Sequence, residues 1–97
     1  MKKIILILTL ASTMMLANEG STLFAKCVGC HGAKAEKKAL GKSKVINTMS
    51  QEEIVHALKG YKDGTYGGAM KGLMKGQVAS LTPQQIQTLA TYITTLK

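Results

Sequence analysis

Five consecutive residues, Cys27-Val28-Gly29-Cys30-His31, constrain this chain more than any other stretch of its 97 residues. They read C-x-x-C-H, the pattern typical of covalent attachment of a c-type haem. In such a motif the two thiols add across the haem vinyl groups, and the histidine that follows binds the iron as proximal ligand. The motif therefore predicts one covalently bound haem at Cys27 and Cys30, with His31 as an iron ligand.

Three other functions of a C-x-x-C pair fit this sequence less well. A thioredoxin-like redox site is typical of a βαβ pattern, and no strand pattern is seen here. A zinc site needs further ligands at metal spacing, yet the chain has no third cysteine, and His56 lies far from His31 in sequence. A disulfide across two residues would close only a very small loop, which stabilises a fold little. Haem attachment remains the favoured interpretation.

Residues 1–17 have the composition of a secretory signal peptide. The positive pair Lys2-Lys3 precedes an almost unbroken apolar run over residues 4–10. This run is short for a membrane span, and an uncleaved N-terminal anchor is the alternative. We predict cleavage after Ala17. Residues 18–97 would then form one small domain in the bacterial periplasm, because covalent haem attachment belongs to that compartment.

The charge balance narrows the class of partner. The chain carries 13 lysines, no arginine and five acidic residues, and loss of residues 1–17 leaves 11 lysines and a net charge of +6. Nucleic-acid binding usually depends on arginine, so we expect no nucleic-acid partner. A lysine-rich surface favours fast docking to acidic redox proteins, such as a membrane-bound donor or an oxidase or peroxidase acceptor. A surface that serves solubility alone is the alternative. We expect a monomer.

Three helices are predicted from their caps and from apolar residues at helical spacing. The first begins near Ser21 and leads directly into the haem motif. The second begins with a capping box formed by Ser50 and Glu53, and the last begins with another formed by Thr82 and Gln85. The last helix has a continuous apolar stripe. We expect this stripe to bury against the first helix.

A glycine-rich stretch over residues 61–77 follows a helix end that is predicted at Gly60. Its composition predicts a loop, which would let the chain wrap a flat cofactor and aim one sulfur at the metal. Met70 and Met74 both lie in it, and composition alone does not separate them. Glycines on either side of Met74 favour that residue. Met49 lies at the entry to the second helix, where a rigid N-terminus leaves little freedom to reach the iron.

Together these stretches resemble a small class I cytochrome c, and within that family the short bacterial cytochrome c-553 type. The resemblance covers essentially all of residues 18–97 and is carried by Phe24-Ala25-Lys26-Cys27-Val28-Gly29-Cys30-His31-Gly32, Lys59-Gly60-Tyr61, Gly64-Thr65-Tyr66-Gly67-Gly68, Met74 and Ala90-Thr91-Tyr92-Ile93. It implies an all-α fold in which the N- and C-terminal helices cross around one covalently bound haem c. It also implies that His31 and Met74 are the axial ligands of the haem iron, and that the protein transfers single electrons.

One departure from the family pattern concerns the orientation of the proximal histidine. Many members place a proline shortly after the haem motif, and its carbonyl accepts a hydrogen bond from that histidine. The single proline of this chain is Pro83, far from the motif. We expect a backbone carbonyl of residues 33–46 to orient His31 instead.

The sequence thus predicts a periplasmic monohaem cytochrome that carries single electrons between redox partners and is not an enzyme. Iron with two protein ligands leaves no position for a substrate. The alternative is a five-coordinate haem enzyme, or a ligand-binding haem protein, that acts on a small molecule such as peroxide. That alternative needs a distal polar group. The obvious candidate, His56, falls off the apolar face of its helix and is predicted to lie at the surface.

Overall fold

The computed structural model describes residues 19–41, 43–68 and 71–96, and within these ranges every regular element is a helix. The predicted all-α class is therefore confirmed. The predicted signal peptide and its cleavage site lie outside the described residues. Within the described ranges, no helix is long and apolar enough to cross a membrane.

Within the described ranges, five α-helices and three short 3-10 turns follow one another. The α-helices are α1 (residues 19–24), α2 (Val28–His31), α3 (Gln51–Asp63), α4 (Lys71–Val78) and α5 (Pro83–Thr94). The 3-10 turns are Ala25–Cys27, Ile46–Thr48 and Ala39–Gly41.

Both predicted capping boxes are present. The Ser50 hydroxyl accepts from the Glu53 N–H at 3.1 Å, and the Ser50 N–H donates to the Glu53 carboxylate at 2.8 Å. Thr82 and Gln85 make the same reciprocal pair at 3.1 and 2.9 Å. Each box satisfies two backbone N–H groups that would otherwise lack partners, and so fixes where α3 and α5 begin.

The end predicted for α3 at Gly60 is wrong. The helix continues to Asp63, and Gly64 ends it in the left-handed conformation at a φ of +85°, with its N–H donating to the Gly60 carbonyl. Gly60 serves a different purpose, because a Cβ built there would lie only 2.3 Å from the Cβ of Tyr66. The glycine lets the chain after α3 fold back against the helix.

The loop predicted for residues 61–77 is also partly wrong, because residues 71–78 form α4. A glycine inside a helix costs about 1 kcal/mol relative to alanine, and α4 contains Gly72 and Gly76. Packing of α4 against α3 stabilises the helix and offsets the low helix propensity of these two glycines. The buried side chain of Val78 lies at the end of α4. Tertiary contacts therefore decide the conformation of this segment.

The first and last helices contact each other as predicted. A Cβ built on Gly20 would lie 2.6 Å from the Cβ of Tyr92, so the two backbones approach closely. The rings of Phe24 and Tyr92 are 5.8 Å apart and tilted by 50°. Behind this contact, α5 packs against α3 and buries the side chains of Ile86, Leu89, Ala90 and Ile93.

Candidate haem site

His31 ends α2 and is nearly fully buried, with 6% of its surface exposed. Its Nδ1 atom is sealed from solvent and has no hydrogen-bond partner within the described residues. Burial lowers the pKa of the imidazole, because desolvation disfavours its charged form. The ring is therefore held neutral, which is the form that binds a metal.

Cys27 and Cys30 precede His31 on the same short helical stretch, and no disulfide joins them. Cys27 is partly buried and Cys30 is exposed. Burial raises the pKa of the Cys27 thiol, and the neighbouring Lys26 opposes that effect. The predicted motif thus presents two thiols and a neutral imidazole on one turn of chain.

These three side chains line one cavity of about 370 Å³, and Met74 lines the same cavity from α4. We call the side formed by Cys27, Cys30 and His31 the motif wall, and the side formed by Leu73, Met74 and Val78 the methionine wall. Much of the remaining lining is apolar and comes from α3, α5 and the segment before α5, including Ile54, Leu58, Leu81, Leu89 and Ile93.

The methionines predicted as alternative ligands are distributed unevenly around this cavity. Met74 is partly buried and packs against the edge of the core. Met49 also lines the cavity but is a buried core residue with 7% of its surface exposed. Met70 lies outside the described residues. The position of Met49 at the entry to α3 predicts only that this residue does not reach the iron. No sequence pattern indicates that it lines the cavity.

Two tyrosines form a further part of the lining that sequence reasoning did not assign to the site. Tyr61 and Tyr66 meet edge to face, with ring centroids 5.1 Å apart. Burial raises the pKa of the Tyr61 hydroxyl, so this group stays protonated at neutral pH. His56 is exposed, as predicted, and its ring meets that of Tyr66 edge to face, with the ring centroids 5.8 Å apart. It does not line the cavity of about 370 Å³.

The loop after His31 is held by backbone hydrogen bonds. The His31 carbonyl accepts from the Lys37 N–H at 2.9 Å, and Gly32 turns the chain at a φ of +87°. Ala35 is completely buried and has a φ of +55°, which is unusual for a residue other than glycine. Asn47 donates to this loop twice, from Nδ2 to the Lys34 carbonyl at 2.9 Å and from its N–H to the Ala35 carbonyl at 3.1 Å.

The expected carbonyl partner for His31 is not found. A carbonyl of residues 33–46 was predicted to accept from the imidazole, yet Nδ1 has no partner within the part of the chain that the structure describes. Sequence reasoning also gave no signal for Asn47, because an asparagine in a polar loop has many possible partners.

The donor set matches the group that the motif predicts. Two thiols fit covalent attachment, a buried neutral imidazole and a thioether fit the two axial ligands of a haem iron, and the apolar lining fits a porphyrin. An all-α fold with crossing terminal helices around such a cavity defines a small class I c-type cytochrome.

Comparison with known proteins gives the same class. The family model described as cytochrome c matches residues 17–97. Cytochrome c-553 of Helicobacter pylori (strain ATCC 700392 / 26695) is 42% identical over 100 residues, which cover both chains completely. Cytochrome c-553 of Nitratidesulfovibrio vulgaris (strain DSM 19637 / Miyazaki F) is 31% identical over 99% of this chain and 100% of its own. That of Desulfomicrobium norvegicum is 44% identical over 78% of this chain and 94% of its own.

This chain therefore belongs to the cytochrome c family and is a class I c-type cytochrome of the c-553 type. Members of this class carry one covalently attached haem c and act in electron transfer. The predicted cofactor and family are confirmed.

Proposed function

We propose that this protein is a periplasmic monohaem cytochrome that carries single electrons between redox proteins. In this proposal Cys27 and Cys30 hold the haem through thioether bonds, and His31 and Met74 are the axial ligands of its iron. The observation that carries the proposal is the single cavity that gathers these four side chains from two separate parts of the chain. The bound haem supplies the iron that cycles between its ferric and ferrous states.

The motif wall supplies attachment and one ligand. The two thiols and the imidazole lie on one short stretch, so a haem attached to both thiols would be held beside His31. Because Nδ1 is sealed inside the protein, Nε2 is the ring nitrogen that we assign to the iron. Burial keeps His31 unprotonated, which leaves the lone pair of this nitrogen available for the metal.

The methionine wall supplies the second ligand. Met74 comes from α4, a helix separate from the motif, and its partly buried position leaves the thioether at the cavity surface. Met49 is less suited because it is packed into the core. The family resemblance also implies a ligand methionine at this distance before the last helix. A thioether ligand favours the ferrous form of iron and raises its reduction potential.

The proposed pair of iron ligands supports an electron carrier rather than an enzyme. An enzyme acting on peroxide or a similar molecule needs an open iron position and a polar group beside it. His56 is exposed and does not line the haem cavity. His31 and Met74 would together leave no open position on the iron for a substrate, and such a ligand set suits electron transfer.

Exposed lysines at the cavity suit acidic redox partners. Lys26, Lys44 and Lys71 line the cavity and are exposed, and Leu73 beside them has 48% of its surface exposed. An apolar patch near positive charges suits short-lived docking of a monomer to a protein with acidic groups around its own redox centre. The predicted export of residues 18–97 would put this encounter in the periplasm.

An optical spectrum of the purified ferric protein tests the carrier function. We expect the weak sulfur-to-iron band at the red end of the spectrum and no spectral change on adding peroxide. Absence of this band together with rapid binding of added ligands would favour the five-coordinate alternative.

The dependence of electron exchange on salt tests the docking part of the proposal. We expect the rate with an acidic redox partner to fall as ionic strength rises, because salt at 0.1 M screens charges over about 10 Å. Replacing Lys26, Lys44 and Lys71 by glutamine should weaken this dependence, whereas replacing Lys59, which does not line the cavity, should leave it nearly unchanged. A rate independent of salt would show that the lysines serve solubility alone.

A further inference from the structure

We propose that Asn47 is a positioning residue for the imidazole of His31. It would act through the loop of residues 32–37, which we call the proximal loop. The inference rests on the proposed function, in which His31 binds the haem iron. It assigns control of ligand orientation to a residue that touches neither the cavity nor the motif.

Among the described residues, none makes a hydrogen bond to the Nδ1 atom of the His31 ring. Nδ1 of His31 is sealed from solvent and has no partner within residues 19–41, 43–68 and 71–96. A metal-binding histidine is usually oriented by a hydrogen bond from its second ring nitrogen. Without that bond, the orientation of the ring depends on the backbone on either side of His31.

The backbone after His31 has a conformation that contacts with other residues must stabilise. The Lys37 N–H donates to the His31 carbonyl at 2.9 Å, so the proximal loop closes back onto the histidine. Within this loop, Gly32 and Ala35 both have positive φ values. A left-handed alanine is disfavoured on its own and persists only where its surroundings hold it.

Asn47 stabilises this backbone through two hydrogen bonds. Its Nδ2 donates to the carbonyl of Lys34 at 2.9 Å, and its backbone N–H donates to the carbonyl of Ala35 at 3.1 Å. It lies between Ile46 and Met49, which both line the haem cavity. Asn47 therefore ties the proximal loop to the wall of the cavity, and a change in its side chain should reach His31 through the loop.

The test compares two amide side chains that each join separate parts of the chain. Asn47→Asp and Asn47→Ala both remove the Nδ2 donor, and the first keeps the shape of the side chain. The controls are Gln51→Glu and Gln51→Ala, because Gln51 donates from Nε2 to the Thr91 hydroxyl at 3.0 Å and joins α3 to α5. The haem-loaded proteins are compared by electron paramagnetic resonance of the ferric state, by reduction potential, and by amide exchange.

We expect both Asn47 variants to change the principal g values of the ferric protein and the reduction potential, and both Gln51 variants to match the wild type. We also expect the Lys37 amide to exchange about tenfold faster in the Asn47 variants, the effect of losing one hydrogen bond. A purely stabilising role would instead lower the melting temperature in both pairs and leave the g values unchanged. Unchanged g values in folded Asn47 variants would overturn the inference.

A measurement on the wild type keeps the inference testable if the variants do not fold. The Lys37 and Asn47 amides should exchange with about equal protection, because the same opening exposes both. Protection that differs by tenfold or more would contradict the inference. A wild-type spectrum without a histidine-ligated low-spin iron would instead contradict the proposed function, so the two failures are distinguishable.

Discussion

The two walls of the cavity are built in different ways. On the motif wall, Cys27, Cys30 and His31 are contiguous in sequence, and the histidine has only 6% of its surface exposed. On the methionine wall, Met74 reaches the cavity from α4, a helix that contains two glycines. The residue before it, Leu73, has 48% of its surface exposed. Local sequence therefore places the proposed ligand His31, whereas packing of α4 against α3 places the proposed ligand Met74. We expect the methionine wall to be the easier of the two to change without loss of the fold.

We expect the largest effect from replacing Met74, the proposed ligand on the methionine wall. Met74→Ala should abolish the sulfur-to-iron band, open the iron to added ligands such as imidazole, and lower the reduction potential. Optical titration of the ferric protein measures the first two effects. Met49→Leu should keep the band, because it replaces one buried apolar side chain by another of similar volume.

The outcome for Met70 completes this test. Met70→Ala should also keep the band. If Met70→Ala loses the band and Met74→Ala keeps it, the ligand has been assigned to the wrong residue, and the electron-transfer function is unaffected.

A smaller effect is expected where α1 supports the motif wall. Gly20→Ala would place a Cβ 2.6 Å from the Cβ of Tyr92, and a clash with an atom so near the backbone forces α1 away from α5. We expect the free energy of unfolding of the haem protein to fall by about 1–3 kcal/mol in denaturant titration. Ser21→Ala, at the exposed neighbouring position, should change it by no more than about 0.5 kcal/mol. Equal effects of the two changes would show that the helices do not cross at Gly20.

We expect the smallest effects from acidification. Low pH should weaken the hydrogen bonds that the carboxyls of Glu36 and Asp63 accept, each in a turn of the chain. Hydrogen bonds from the backbone N–H groups of Glu36 and Lys34 lower the pKa of the Glu36 carboxyl below its ordinary value of 4.5. Hydrogen bonds from the Thr65 hydroxyl and N–H lower the pKa of the Asp63 carboxyl below 3.8. A carboxyl whose pKa is lowered by folding contributes stability above its unfolded pKa, and this contribution is lost as the pH falls through its folded pKa.

Melting temperatures measured from about pH 6 down to about pH 3 check this prediction. Glu36→Gln and Asp63→Asn should each reduce the loss of stability on acidification. Glu36→Gln should also change the ferric spectrum near neutral pH more than Asp63→Asn does, because Glu36 lies in the proximal loop. A steeper loss of stability in either variant would contradict the prediction.

Some parts of the fold and site were predictable because they depend on local chemistry. The capping boxes at Ser50 and Thr82 and the motif around His31 each lie within a few residues of sequence. The contact of Phe24 with the last helix was also predictable, because an apolar stripe must bury against a partner. These features are encoded by spacing alone.

Other parts depend on contacts between distant residues and were missed for that reason. A glycine at position 60 is typical of a helix end. Gly60 nevertheless lies inside α3, where Tyr66 folds back onto it. α4 has the composition of a loop but packs as a helix against α3. Asn47 lies in the 3-10 turn Ile46–Thr48, and Met49 follows this turn directly. Met49 lines the cavity, and Asn47 makes hydrogen bonds to the proximal loop. Nothing in their own sequence neighbourhood indicates that role.

We propose that the motif wall holds one haem covalently and that no other residues do. Mass spectrometry of the protein purified from periplasm, followed by sequencing of the haem-bearing peptide, tests it most directly. We predict the mass of the chain plus one haem, retained after denaturation, with both thioether bonds on the peptide containing Cys27 and Cys30. A chain mass without haem, or a haem that acidic acetone extracts, would contradict the claim.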